Sequence, residues 1–158
     1  MTQLSKYFTL EECVRSTTAT AKGIANVPSD AGLAVAKLLF EQVVDPIRER
    51  WGRVRVSSGY RSPALNAEVG GAATSDHCWD EFGASADCQF LDAPEQEVFD
   101  WIRLESGLPF DQVILERGKV KDSETDDCIH ISFRPIPRRQ AMAGATHGKS
   151  KYEHVEVA

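Results

Sequence analysis

The chain has 158 residues, which is long enough for one domain with a substantial core. Hydrophobic residues make up 42% of it and charged residues 27%, a composition typical of folded globular proteins. The formal net charge of -6 argues against a nucleic-acid partner bound through its phosphates, and no apolar run approaches the roughly 20 residues of a membrane span. The segment from Met1 to Lys6 lacks the features of a signal peptide, so we expect synthesis in a cytoplasm.

The N-terminal part is predicted to be mainly helical. A capping-box pattern at Thr9 opens a short helix that ends near residue 15, and the polar residues 16–28 are expected to form a surface loop. Apolar residues spaced four apart predict a longer helix over residues 31–51, which Pro46 should bend.

Strands dominate the later part of the prediction. Alternating or continuous apolar patterns predict strands over residues 53–57, 84–90, 111–116 and 129–133. One further helix is expected over residues 63–69, and another begins within residues 92–95 and buries Val98, Phe99, Ile102 and Leu104. Residues 140–145 and 151–157 are expected to pair as a terminal hairpin around His147-Gly148-Lys149. Helices first and strands later indicate an α+β fold, with one domain over residues 1–158 and a small, mainly antiparallel sheet.

Three residues can be placed around one metal ion, and we call His77, Asp87 and His130 the candidate triad. Two histidines and one carboxylate form the ligand set of a catalytic zinc site, which keeps its fourth position open for water. Each signal is weak alone: His77 lies in a loop-like segment, and His130 lies between two isoleucines as a core histidine often does. Asp87 lies in an apolar strand, where an unpaired charge is costly to bury.

The four cysteines, Cys13, Cys78, Cys88 and Cys128, form no CxxC pair. A thiolate zinc knuckle is therefore not expected, and we predict small, reduced, apolar side chains near the core. A Cys78–Cys88 disulfide and a direct bond from a cysteine to the metal stay open as alternatives.

Several segments together resemble the M15 zinc peptidases, which include D-Ala-D-Ala carboxypeptidases and phage endolysins that cut peptidoglycan stem peptides. The resemblance covers nearly the whole chain, and the segments that carry it are residues 8–12, 58–66, 69–71, 75–77, 83–87, 109–116 and 130–134. It implies an α+β fold of the M15/hedgehog-like type, with helices packed on the sheet and one zinc ion per chain bound by the candidate triad.

The resemblance also implies roles for other residues. Asp127, three residues before His130, matches the acidic residue that acts as general base and then general acid. Arg61 matches an arginine that steadies the substrate and the oxyanion. Ser75 is expected to orient His77 or the substrate, and Gln112 and Glu116 lie on a strand that should line the cleft.

Strand geometry qualifies the role of Asp127. Residues i and i+3 of a regular strand face opposite sides, so Asp127 and His130 can share a site only if Asp127 precedes the strand or a bulge intervenes. Asp126 and Glu124 are nearby alternatives, and the other interpretation of Asp127 is a solvated loop acid. For Arg61 the alternative is a surface salt bridge.

The interval from His77 to Asp87 is longer than is usual in this family, which indicates an insertion over residues 78–82. Trp79 and Phe82 in it either cover the cleft or pack the loop onto the body of the protein. Asp80 and Glu81 are potential false ligands, and His147 and His154 are expected to be structural or exposed.

The implied partner is a peptidoglycan stem peptide, cut by an endopeptidase or D,D-carboxypeptidase activity in phage-type lysis of the cell wall. The protein is expected to be a monomer that acts on the wall after release from the cytoplasm, or as part of a virion. The rival interpretation is a non-catalytic zinc-containing binding module or virion structural component of the same fold.

Overall fold

The computed structural model describes residues 1–118, 127–145 and 152–158. Its helices are α1 (Leu10–Val14), α2 (Thr17–Lys22), α3 (Asp30–Leu39), a π-helical turn (Phe40–Val44), α4 (Asp45–Trp51), α5 (Pro63–Glu68) and α6 (Glu95–Leu104). Its strands are β1 (Val54–Ser58), β2 (Ala84–Phe90), β3 (Gln112–Arg117), β4 (Cys128–Phe133), β5 (Gln140–Ala145) and β6 (Glu153–Val155).

The six strands form one sheet in the order β1-β2-β4-β3-β5-β6. Every neighbouring pair is antiparallel except β3 and β5, which run parallel. The predicted α+β fold with a mainly antiparallel sheet is therefore confirmed. The paired strands β5 and β6 also confirm the terminal hairpin, although its turn around His147 lies outside the described residues.

The two faces of the sheet differ sharply in character. Ala86, Ile131, Val113 and Ala141 are register partners across four strands, and all four are buried in the core beneath the helices. The next row, on the opposite face, begins with Asp87 and His130. Side chains of a strand alternate between the two faces of the sheet. The same strand register therefore directs the apolar row towards the helices and the polar row towards the open face.

The N-terminal helices show one wrong prediction and one refinement. Residues 16–28 do not form only a loop, because Ser16 caps α2 through a hydrogen bond from the N–H of Ala19 and Gly23 ends it with a φ of 63°. A helix rich in threonine has weak intrinsic propensity, so only its end signals could have revealed it. The helix predicted over residues 31–51 is confirmed, and the structure accommodates Pro46 by a π-helical turn just before it.

None of the helices in the described part of the chain is both long enough and apolar enough to cross a membrane.

Candidate metal centre and its cavity

His77 lies in the loop between α5 and β2 and is fixed there by three hydrogen bonds. Its ring Nδ1 lies 2.7 Å from the carbonyl oxygen of Gly59, its backbone N–H donates to Oγ of Ser75 at 3.3 Å, and its carbonyl accepts from the N–H of Arg61 at 2.8 Å. The backbone of Gly59 passes so close to helix α1 that an added Cβ would lie 2.2 Å from the carbonyl oxygen of Cys13. Only glycine therefore allows this strand end to present its carbonyl to His77.

Asp87 and His130 come from adjacent strands. They are register partners on β2 and β4, so the pairing of the sheet itself sets the distance between them. Oδ1 of the fully buried Asp87 lies 2.9 Å from Nδ1 of His130 and 3.3 Å from Nε2 of His77. The structure thus brings all three members of the candidate triad together, and their potential ligand atoms lie within 4.8 Å of one another.

The hydrogen bonding of His77 makes this cluster suitable for a cation. A carbonyl oxygen can only accept, so Nδ1 of His77 carries the proton and donates to Gly59. Burial of the ring holds the pKa of His77 below its ordinary value, which outweighs the opposite effect of Asp87, so the ring is neutral near pH 7. Its Nε2 then presents a lone pair towards a carboxylate oxygen 3.3 Å away. Two acceptors at this distance fit a metal ion between them, and two histidine nitrogens with one carboxylate match the donors that zinc prefers.

Arg61 lies directly beside the candidate triad. Its Nη2 lies 3.8 Å from Oδ2 of Asp87, and its Nε donates to Oγ of Ser58 at 3.1 Å. The guanidinium is mostly buried and lines the cavity that opens over His77 and His130. The guanidinium therefore places a positive charge beside Asp87 at the wall of this cavity.

The cavity over the candidate triad has a volume of about 840 Å³. Ser75 and Gln112 both line it, and the side-chain amide of Gln112 donates to Oε1 of Gln140 at 3.2 Å. Ser75 has a definite contact with His77, since its hydroxyl oxygen accepts the N–H of that residue.

Glu116 occupies a more central place than the sequence indicated. It is buried on β3, its register partner is Cys128, and it lines the same cavity as the two histidines. Its carboxylate accepts from the hydroxyl of Tyr152 at 3.0 Å and from the thiol of Cys128 at 3.3 Å. The side chains of Asp87, Glu116 and Cys128 form a second group whose potential ligand atoms lie within 4.8 Å of one another.

Asp127 has a different environment. It directly precedes β4, which is the arrangement that would let it share a face with His130, but its Oδ1 accepts from the backbone N–H of Gly118 at 2.9 Å. Among the residues that the structure describes, the lining of the cavity includes Glu116 and does not include Asp127. The alternatives Asp126 and Glu124 lie outside the described residues.

The cysteines are thiols rather than halves of a disulfide, so the alternative of a Cys78–Cys88 bridge is wrong. Cys88 points into the core because it alternates with Asp87 on β2, whereas Cys78 lies on the loop and is partly exposed. Burial raises the pKa of both thiols, which suits reduced structural residues.

Within residues 78–82, Trp79 packs onto the body of the protein. Trp79 is 3% exposed, its Nε1 donates to the carbonyl oxygen of Ser85 at 2.9 Å, and its ring packs against Tyr60. Asp80 closes a turn by accepting the N–H groups of Phe82 and Gly83, and neither Asp80 nor Glu81 belongs to the described ligand groups. Phe82 is exposed, as is His154 on β6.

A network of ion pairs supports the loop that contains His77. The sequence did not predict this network. Asp76 accepts from Nη2 of Arg134 at 2.9 Å, and Nη2 of Arg138 lies 2.7 Å from Oδ2 of the fully buried Asp111. Burial opposes ionisation of Asp111, but its hydrogen bonds from Arg138 and Ser132 hold its pKa below the ordinary value. The available signal was the position of Asp76 and Arg134 inside the motifs that also contain His77 and His130.

Comparison with protein families gives a match between the family model Peptidase M15 and residues 6–120. The match includes His77, Asp87, Arg61 and Glu116 and ends before β4, so the position of His130 depends on the structure. Comparison with curated proteins gives no match.

Proposed function

The chain belongs to the M15 peptidase family, and on this premise we propose that it is a zinc-dependent peptidase of bacterial peptidoglycan stem peptides. It acts as one domain and as a monomer, by endopeptidase or D,D-carboxypeptidase cleavage, in phage-type lysis of the wall. The observation that carries the proposal is the convergence of His77, Asp87 and His130 at a cavity large enough for a peptide.

The metal would be held by Nε2 of His77, Nδ1 of His130 and the carboxylate of Asp87. A zinc ion held there would supply a bound water molecule with a pKa lowered towards 7 and a positive charge for the scissile carbonyl group. The hydrogen bond to Gly59 fixes the neutral tautomer of His77, so its Nε2 can accept a cation without first losing a proton.

Glu116 is our candidate for proton transfer. It lines the cavity beside both histidines, and its hydrogen bonds from Tyr152 and Cys128 orient the carboxylate. In the proposed reaction Glu116 removes a proton from the attacking water and delivers it to the nitrogen of the leaving amine. Asp127 would instead fix the start of β4 through its contact with Gly118.

Arg61 would stabilise the negative charge that develops on the carbonyl oxygen during attack. Its guanidinium is aligned in advance by Ser58, so little reorganisation is needed when this charge appears. Removal of one such donor typically costs about a hundredfold to a thousandfold in kcat.

The decisive experiment incubates purified protein and zinc with purified peptidoglycan, and it measures newly released amino groups while mass spectrometry names the bond that is cut. Glu116→Gln and Asp127→Asn are compared in parallel, because both remove one carboxylate and keep its size. We expect Glu116→Gln to lower kcat at least about a hundredfold and Asp127→Asn to retain most of it.

The reverse ranking of the two variants would return the proton-transfer role to Asp127. If the wild-type protein binds zinc but releases no amines, and Glu116→Gln behaves identically, the peptidase proposal fails. The non-catalytic binding module then becomes the better interpretation.

A further inference from the structure

A second cavity adjoins the candidate metal centre on the β1 side of the open face. Its volume is about 500 Å³, and Arg61 and Val69 line both cavities. A peptide bound across the metal centre could therefore extend directly into it.

This second cavity is positively charged, although the chain as a whole carries a net charge of -6. Three arginines line it, Arg15, Arg55 and Arg61, against the single carboxylate of Glu12. That carboxylate is engaged with the N–H and the hydroxyl of Thr9, both at 2.9 Å. Within residues 1–118, 127–145 and 152–158, neither Arg15 nor Arg55 forms an ion pair.

A buried amide orients Arg55. Gln89 is 2% exposed, and its Oε1 accepts from Nε and Nη2 of Arg55 at 3.0 and 2.6 Å. Its Nε2 points to the carbonyl oxygen of Asp127 at 3.5 Å, which fixes the orientation of the amide. These hydrogen bonds hold the guanidinium in place before a ligand binds, so less side-chain entropy is lost on binding. Because the amide is neutral, it offsets little of the positive charge of Arg55, and the Nη1 donors point to no partner among the described residues.

We propose that this second cavity binds a carboxylate of the peptide substrate and that Arg55 is the residue that recognises it. The inference rests on the proposed peptidase function and names a feature of its substrate. Guanidinium and carboxylate groups match in charge and in the spacing of donors and acceptors. Arg15 supplies a second positive charge at the rim of the cavity.

The register of β1 and β2 limits where this carboxylate lies in the substrate. Arg55 is the partner of Gln89, which follows Asp87 by two positions on β2. Two strand residues span about 7 Å, so the carboxylate lies within about two residues of the scissile bond in an extended peptide. A stem peptide with a γ-linked glutamate carries a free α-carboxylate and belongs to this chemical class.

The test uses two synthetic stem peptides that differ only in the glutamate α-carbon substituent, a carboxylate in one and a carboxamide in the other. We expect the wild-type protein to prefer the carboxylate peptide by about tenfold to a hundredfold in kcat/KM. Arg55→Gln should lose this preference by slowing the carboxylate peptide alone. Arg53→Gln is the matched control, because Arg53 lies on the same segment but is paired with Asp92, and it should keep the preference.

Equal cleavage of both peptides by the wild-type protein, or an equal loss on both in Arg55→Gln, would overturn the inference. A binding measurement separates this failure from failure of the proposed function. The two peptides are titrated into zinc-loaded protein, and the NMR signal of the Arg55 Nε–H group is followed. If neither peptide is cleaved, the proposed function fails. The subsite is still supported if only the carboxylate peptide binds and shifts this signal, and it is refuted if both peptides or neither do so.

Discussion

Gly59→Ala should weaken metal binding although Gly59 is not itself a ligand. The new Cβ would lie 2.2 Å from the carbonyl oxygen of Cys13, whereas ordinary contacts are 3.4–4 Å, so the strand end must move by about 1 Å. The hydrogen bond from Nδ1 of His77 to Gly59 is now 2.7 Å long, and a movement of this size takes it beyond hydrogen-bonding range. Loss of such a partner typically lowers metal affinity about tenfold to a hundredfold, or about 1.4–2.8 kcal/mol.

Zinc affinity is measured by competition with a chelator, and the free energy of unfolding of the metal-free protein is measured by urea denaturation. Gly52→Ala is the control, because its Cβ would lie 2.5 Å from Oδ2 of Asp92 and its φ of 92° is unfavourable for alanine, far from the ligands. Both variants should lose about 1–3 kcal/mol of stability. Only Gly59→Ala should lose zinc affinity, and wild-type affinity in that variant would refute the role assigned to the Gly59 carbonyl.

Three further outcomes are expected. Zinc at a hundredfold excess over its Kd should raise the free energy of unfolding of the wild-type protein by about 2.7 kcal/mol, so a chelator should lower its melting temperature. The melting temperature of His77→Ala should not change, and equal shifts in the two proteins would contradict the ligand assignment. Because the pKa of Asp111 is lowered in the folded state, its contribution to stability is present above the unfolded pKa of about 3.9 and is lost as pH falls through the folded pKa. In Asp111→Asn, denaturation from pH 6 to pH 2 should therefore show a smaller loss of stability than in the wild type. Trp79→Phe should lower the free energy of unfolding by about 1–3 kcal/mol in urea denaturation, because it leaves the Ser85 carbonyl without its donor; an unchanged midpoint would contradict the packed position of Trp79.

The sequence predicted the strands well because their apolar residues alternate or run continuously between turn signals. It also placed His77, Asp87 and His130 as candidates, since these residue types are unusual in loop and strand segments of this kind. Their convergence could not be derived from spacing, because it depends on β2 pairing with β4, a strand that does not follow it directly in the chain. The family resemblance, rather than periodicity, supplied that information.

Glu116 shows why the carboxylate that we propose for proton transfer was harder to place than the metal ligand candidates. On the sequence it is one acid at the end of an apolar strand, and Asp127 is closer to His130 along the chain. The pairing of β3 with β4 sets Glu116 opposite Cys128, two residues from His130 on the same face. Only the register of the sheet contains this relation, and a shift by one residue would have turned Glu116 into the core.

Because of the way His77 is anchored, the segment that follows it can change in length without changing the geometry of the site. His77 is held by Gly59, Ser75 and Arg61, all of which precede it in the chain, while Asp87 is held by the sheet. The connection between them can therefore grow without moving either side chain, and the entropy cost of a longer loop rises only slowly with its length. The exposed residues 80–82 should consequently tolerate insertions, so a recognition peptide or a label can be inserted there without disturbing the site.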